Sequence, residues 1–146
     1  MDYIRETIEK LEEHNLLLSA EENLRMEIKA LILDKDCMKA QRLSHTPGGG
    51  SGSGEPDDKI ANNIARRIEL NNRLRCTRLR INQIKKAMEC LEDKEKTVLE
   101  ILYVNGSYKN IDYACQRLGY EKSNIYKLRD RSLRKLARAL LGIGVA

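Results

Sequence analysis

The chain has 146 residues, 34% of them charged, with no Trp or Phe, six Tyr, two Pro and a net charge of +5. Such a composition excludes a large aromatic core and an enclosed substrate pocket, and it fits an all-α protein with a thin core. Residues 1–46 carry 7 basic and 10 acidic groups, whereas residues 117–138 carry 8 and 2, a concentration of positive charge expected of a polyanion-binding segment.

Residues 2–43 read as a helix. Ile4, Ile8, Leu11 and Leu18 mark one apolar stripe, with Asn15 in the same phase. Leu24, Ile28, Leu31 and Met38 continue it, shifted by one residue, which argues against a long regular coiled coil. A break is expected near Ser19, where Ser19-Ala20-Glu21-Glu22 resembles a capping box. The segment from Pro47 to Asp58 then contains GGGSGSG, which behaves as flexible coil. Its composition fits an inserted spacer and a natural loop equally. Pro56, Asp57 and Asp58 make a favourable helix start.

Residues 59–91 read as a second long helix. Leu70, Leu74, Thr77, Ile81, Ile84, Met88 and Leu91 step alternately by four and three, an a/d seam with Thr77 its weak position. Ile60, Ile64 and Ile68 are expected to extend the buried stripe upstream. This seam needs a partner: residues 2–43 in an antiparallel hairpin, a second copy in a homodimer through residues 59–91, or both. The first helix is acidic and the second basic, so antiparallel pairing is electrostatically favourable. The basic run Arg73–Arg80 reads as a solvated face, with a second phosphate-contacting surface as the alternative.

Residues 92–146 read as a module of three short helices. Asp93 is the expected N-cap of Lys94–Tyr103, whose inward stripe is Val98, Ile101 and Leu102, and Asn105-Gly106 ends it. Asn110–Leu118 follows, with Ile111, Ala114, Cys115 and Leu118 inward. Gly119 suits the left-handed conformation of a tight turn. The third helix carries Ile125, Leu128, Ser132 or Leu133, and Leu136 inward, and continues to Leu140. The tail after it is expected to fray.

A helix, a glycine turn and a basic helix form the pattern of a helix-turn-helix. Its second helix would enter the major groove with Lys122, Ser123, Asn124, Tyr126 and Lys127 near its start. Asn reads adenine with two hydrogen bonds, Lys reaches guanine, and Ser or Tyr contacts phosphate. Arg129, Arg131, Arg134 and Lys135, further along, are expected to hold the backbone. Tyr103, Tyr108, Tyr113 and Tyr120 are expected in the module's core or rim, and Tyr126 facing DNA.

The residues LEDKEKTVLEILYVNGS and LGYEKSNIYKLRDRSLRKL resemble the fourth region of bacterial sigma factors, the helix-turn-helix that reads a promoter element. The shared positions are Leu91, Glu95, Val98, Leu99, Tyr103 with Gly106, Leu118-Gly119 and the closing Arg131-Ser132-Leu133-Arg134-Lys135-Leu136. The chain departs from the pattern in a longer stretch between Gly106 and Leu118, and in Glu121 where a Ser cap is common. The promoter-melting regions of a full sigma factor have no counterpart here. The whole layout is similar to the small late-gene transcriptional activators of phages and prophages (RinA/ArpU type). That resemblance implies a promoter-binding regulator acting with RNA polymerase. The rival classes are a DNA-packaging subunit like a phage small terminase, and a helical interaction protein without a DNA role.

Other chemistry finds little support. Cys37, Cys76, Cys90 and Cys115 form no CxxC pair, and only His14 and His45 could join them, so no metal site is expected. The thiols are expected to be reduced and buried as small apolar groups, and both His at the surface. No paired-carboxylate spacing, phosphate loop or nucleophile elbow occurs, so the protein is not expected to be an enzyme or to need a cofactor. No apolar run is long enough to span a bilayer, and MDYIRETIEK is not a signal peptide, so no membrane partner and a cytoplasmic location are expected.

Overall fold

A computed structural model describes residues 2–44, 55–105 and 111–142. Every regular element among them is helical: α1 (Tyr3–Ser44), α2 (Glu55–Met88), α3 (Asp93–Leu99), a π-helical turn (Glu100–Val104), α4 (Ile111–Leu118) and α5 (Lys122–Leu141). The chain is therefore all-α. His45, the GGGSGSG segment, Gly106, Tyr108, Asn110 and the last four residues lie outside the described residues. The long helices divide between two compact units. One comprises Ala20–Arg78, and the other Met1–Ser19 with Leu79–Ala146.

The Ala20–Arg78 unit pairs the second half of α1 with most of α2 in antiparallel directions. Glu21 meets Arg78 at 3.3 Å, Glu27 meets Arg66 at 3.3 Å, and Asn63 Nδ2 donates to the Leu31 carbonyl at 2.8 Å. Acidic α1 against basic α2 thus pairs as the charge pattern predicts, although exposed pairs of this kind stabilise little individually. Leu70 and Leu74 are buried and Thr77 half-buried, as the seam requires.

Two expectations fail along the long helices. Ser19 does not start a new helix, because α1 runs unbroken through it. Ala20, Glu21, Glu22 and Leu24 are strong helix formers, so the backbone continues rather than yielding to the hydroxyl. Upstream of Leu70, the buried positions are not Ile64 and Ile68, which are 38% and 58% exposed. The seam keeps its alternation of three and four through Asn63, which is buried, and Arg67, which is half-buried. Asn63 tolerates burial because its Oδ1 accepts from Arg67 Nε at 3.0 Å while its amide reaches Leu31.

The second unit is built on one apolar cluster. Leu11 of α1 and Ile84 and Ala87 of α2 join Val98, Leu99, Ile101, Leu102, Ala114, Ile125, Leu128, Leu133 and Leu136. Leu17 packs against this cluster and Leu18 is 37% exposed, so the phase slip in α1 falls before Leu18. Asn15 leaves the stripe and donates from Nδ2 to the Val104 carbonyl. α2 begins at Glu55, with Pro56 in its first turn, where a missing N–H costs nothing. It ends at Met88, and Leu91 is buried from the following turn instead of from the helix. The cap of α3 is Glu92, not Asp93, because the Glu95 carboxylate turns back to accept from the Glu92 amide at 3.0 Å.

The thiols also depart from expectation. Cys37, Cys76 and Cys90 are exposed, and Cys115 alone is partly buried. Cys37 and Cys76 sit off the apolar stripes of their helices, and Cys90 lies in the turn after α2. Among the described residues no group of His, Cys, Asp or Glu is placed to hold a metal ion. No described helix is long and apolar enough to cross a membrane.

Candidate nucleic-acid interface

α4 and α5 are joined by Gly119, Tyr120 and Glu121. Gly119 has φ +72°, the left-handed conformation expected of it. The Cys115 carbonyl accepts from the Gly119 amide at 2.8 Å and from the Tyr120 amide at 3.2 Å, so the turn closes the end of α4 in a Schellman-like way. Glu121 caps α5 in extended conformation but its side chain makes no capping hydrogen bond, as the absence of a Ser there implies. Lys122 meets Asp112 of α4 at 3.5 Å across the turn. Ala114, fully buried, lets the two helices approach.

The inner face of α5 is as expected. Ile125, Leu128, Leu133 and Leu136 are buried, and Ser132 is buried too because its hydroxyl donates to the Leu128 carbonyl at 2.6 Å. Fixing that face decides where the polar residues go. Ser123, Asn124, Lys127, Arg131 and Arg134 are exposed. Lys127, Arg131 and Arg134 lie four and three residues apart, which at 3.6 residues per turn places them in one row. Arg138, four residues further on and exposed, continues that row. It lay outside the expected set although the same spacing marks it.

The remaining candidates are engaged within the protein. Tyr126 is 40% exposed, and the Arg129 guanidinium lies 5.1 Å from its ring centre. Arg129 also donates to Asp130 Oδ1 from Nε at 3.0 Å and Nη2 at 2.9 Å. Lys135 lies 3.2 Å from Glu95 Oε1, so its charge is met by a buried carboxylate. Burial pushes the Glu95 carboxyl up, but the Glu92 amide, the Lys135 ammonium and the Arg131 charge outweigh it and hold it below the ordinary carboxylate value. The nine residues expected from the sequence therefore divide: Ser123, Asn124, Lys127, Arg131 and Arg134 share the outer face, Tyr126 with Arg129 forms a pair beside it, and Lys122 and Lys135 meet Asp112 and Glu95.

The rim of the module is tyrosine-rich. Tyr103 packs against the core, and burial raises its phenol above the ordinary value. Tyr120 packs there too, and Lys94 donates to its hydroxyl at 2.6 Å. Tyr113 is 46% exposed.

No known family model, curated protein or solved structure matches this chain. The arrangement on α5 is therefore what a functional reading must rest on. A rigid helix whose inner face is locked in a core presents outward two small polar side chains, Ser123 and Asn124, followed by a row of cations. That order supplies hydrogen-bonding groups at the helix start and charge along its length.

Proposed function

We propose that the protein binds double-stranded DNA through α5 as a helix-turn-helix and regulates transcription. The observation that carries this reading is the row Lys127, Arg131, Arg134 and Arg138 on the exposed face of the second of two helices joined by a glycine turn. Ser123, Asn124 and Lys127 contact base edges, because groove-reading helices lead with their N-terminal residues. Arg131, Arg134 and Arg138 contact phosphates, supplying affinity without sequence information. The resemblance to sigma region four extends the proposal to a phage- or prophage-type activator that acts at promoters with RNA polymerase in the cytoplasm.

The test is selection of bound sequences from random duplex DNA at near-physiological salt, with the double variant Asn124→Ala/Lys127→Ala alongside. The expected result is an enriched motif that the variant fails to enrich. Binding without enrichment, lost uniformly as salt rises, would reduce α5 to a nonspecific basic surface.

A further inference from the structure

The outer flank of α2 in the Ala20–Arg78 unit is unlike the rest of this charged chain. Between Asp58 and Arg75 it presents Ala61, Ile64, Ala65, Ile68, Asn71 and Asn72, all exposed and none charged. The charges of the same stretch are on other sides of the helix. Arg66 bonds Glu69 and Glu27, Arg73 bonds Glu69, and Arg67 bonds Asn63. Ile32 of α1, 41% exposed, turns to the same side between the exposed Lys29 and Asp36, so the uncharged face is that of α2 itself. Ile32 follows Leu31 as Ile64 follows Asn63, and successors of facing residues in antiparallel helices turn to the same side. A neutral face has nothing with which to hold nucleic acid, and one with two exposed isoleucines has something to bury.

We infer that this flank is the interface with a second copy of the chain, formed by antiparallel packing of α2 on α2 about a two-fold axis. An isologous interface must be complementary to itself. The sequence of this face meets that condition. An axis passing between Ala65 and Ile68 sets each Ile68 against the partner's Ala65, large on small. It sets Ala61 against the partner's Asn72, and Arg75 against the partner's Asp58. Within one chain, the ion pairs of this unit join Arg66, Arg73 and Arg78 to Glu27, Glu69 and Glu21, and neither Asp58 nor Arg75 is in an ion pair among the described residues. The two-fold supplies each with an opposite charge at the rim of an uncharged centre, the usual arrangement of interfaces. One helix flank is small beside a standard interface of roughly 1,600 Å². Association is therefore expected to be reversible, with a dissociation constant on the order of micromolar.

Sedimentation equilibrium of the full chain without DNA tests this, so the outcome is independent of whether α5 reads DNA. A concentration-dependent equilibrium between 16.8 kDa and twice that mass is expected. Ile68→Glu should weaken it about 30-fold or more, as loss of a central anchor does. Because Ile68 is 58% exposed in the single chain, the helical circular dichroism should not change. Asp58→Arg alone should weaken the dimer, and Asp58→Arg with Arg75→Asp should restore it. A chain that stays monomeric at every concentration overturns the inference. So does a dimer indifferent to Ile68→Glu, or a double exchange that fails to rescue.

Discussion

Lys135 Nζ lies 3.2 Å from Glu95 Oε1, and the Glu95 side chain is only 3% exposed. One carboxylate thus closes the first turn of α3 through the Glu92 amide and ties α3 to α5 through a cation 40 residues away in sequence. Glu95→Ala removes both bonds and should cost about 1–3 kcal/mol in chemical denaturation. Lys135→Ala should cost less, since the Glu92 amide remains. The folded carboxyl titrates below its ordinary value of 4.5, so its contribution is complete above pH 4.5 and is lost as pH falls through the folded value. Wild-type protein should lose stability there more steeply than Glu95→Gln. Equal acid sensitivity of the two would assign the acid transition to other groups.

Gly119 sets the angle at which α5 leaves α4, and its φ of +72° strains any residue with a side chain. A Cβ placed there meets nothing within 4 Å, so the strain is of the backbone alone. Gly119→Ala should cost about 1–2 kcal/mol, and Gly119→Asn less, because Asn tolerates the left-handed region. Thermal unfolding of the two variants gives the order. An alanine as harmless as asparagine would mean that the turn relaxes to a different conformation.

Much of this organisation is legible in the sequence where chemistry and period agree. The inner residues of α5, the glycine turn and the seam from Leu70 to Ile84 follow from spacing alone, because there the apolar residues and the buried positions coincide. Ile64 and Ile68 misled because hydrophobicity outranks amide groups in any stripe, whereas the register admits Asn63. What makes Asn63 acceptable is the Leu31 carbonyl, 32 residues earlier. The Glu95–Lys135 pair and the Asn15–Val104 bond are hidden for the same reason, being tertiary contacts between polar residues. Arg138 was within reach of the spacing that groups Lys127, Arg131 and Arg134. The expected set stopped at Lys135, where the sigma-like motif approaches its end.

Asn63 yields a prediction of opposite signs for two substitutions. It is 6% exposed and spends its side chain on Leu31 and Arg67. Asn63→Ala deletes both bonds and leaves a cavity, so the thermal midpoint should fall, by about 1–2 kcal/mol in stability. Asn63→Leu puts an apolar side chain at this buried position and should be at least as stable as wild type. The cost should appear as lost register, since a buried polar seam residue fixes pairing at the expense of stability. A leucine variant that falls as far as alanine would show that the amide stabilises the pair rather than specifying it.

Arg138 tests the division of labour along α5. As an exposed cation at the far end of the row, Arg138→Ala should weaken binding to selected and random duplexes alike. It should lower the salt slope by about one phosphate contact. Asn124→Ala should leave the salt slope unchanged and weaken only the selected sequence. Fluorescence anisotropy across a salt series on both duplexes separates the two effects. Loss of sequence preference in the Arg138 variant would move the reading surface toward the end of the helix.

His14 was expected at the surface, yet its Nδ1 is buried with no hydrogen-bond partner among the described residues. Burial, then the charge of Lys85, holds its imidazole below the ordinary value of 6.5. The folded protein therefore keeps His14 neutral at pH values where the unfolded chain binds a proton. Stability is complete above pH 6.5 and is lost as pH falls from there through the folded value. This window opens at pH 6.5, above the pH 4.5 at which that of Glu95 opens. His14→Leu removes the titration and the orphaned nitrogen together, and Leu11 and Ile84 nearby offer apolar neighbours. The variant should gain about 1 kcal/mol and lose the slope that wild type shows below pH 6.5. Urea denaturation on either side of pH 6.5 reads both quantities. Parallel losses in wild type and variant would place the responsible proton elsewhere and leave His14 a packing residue.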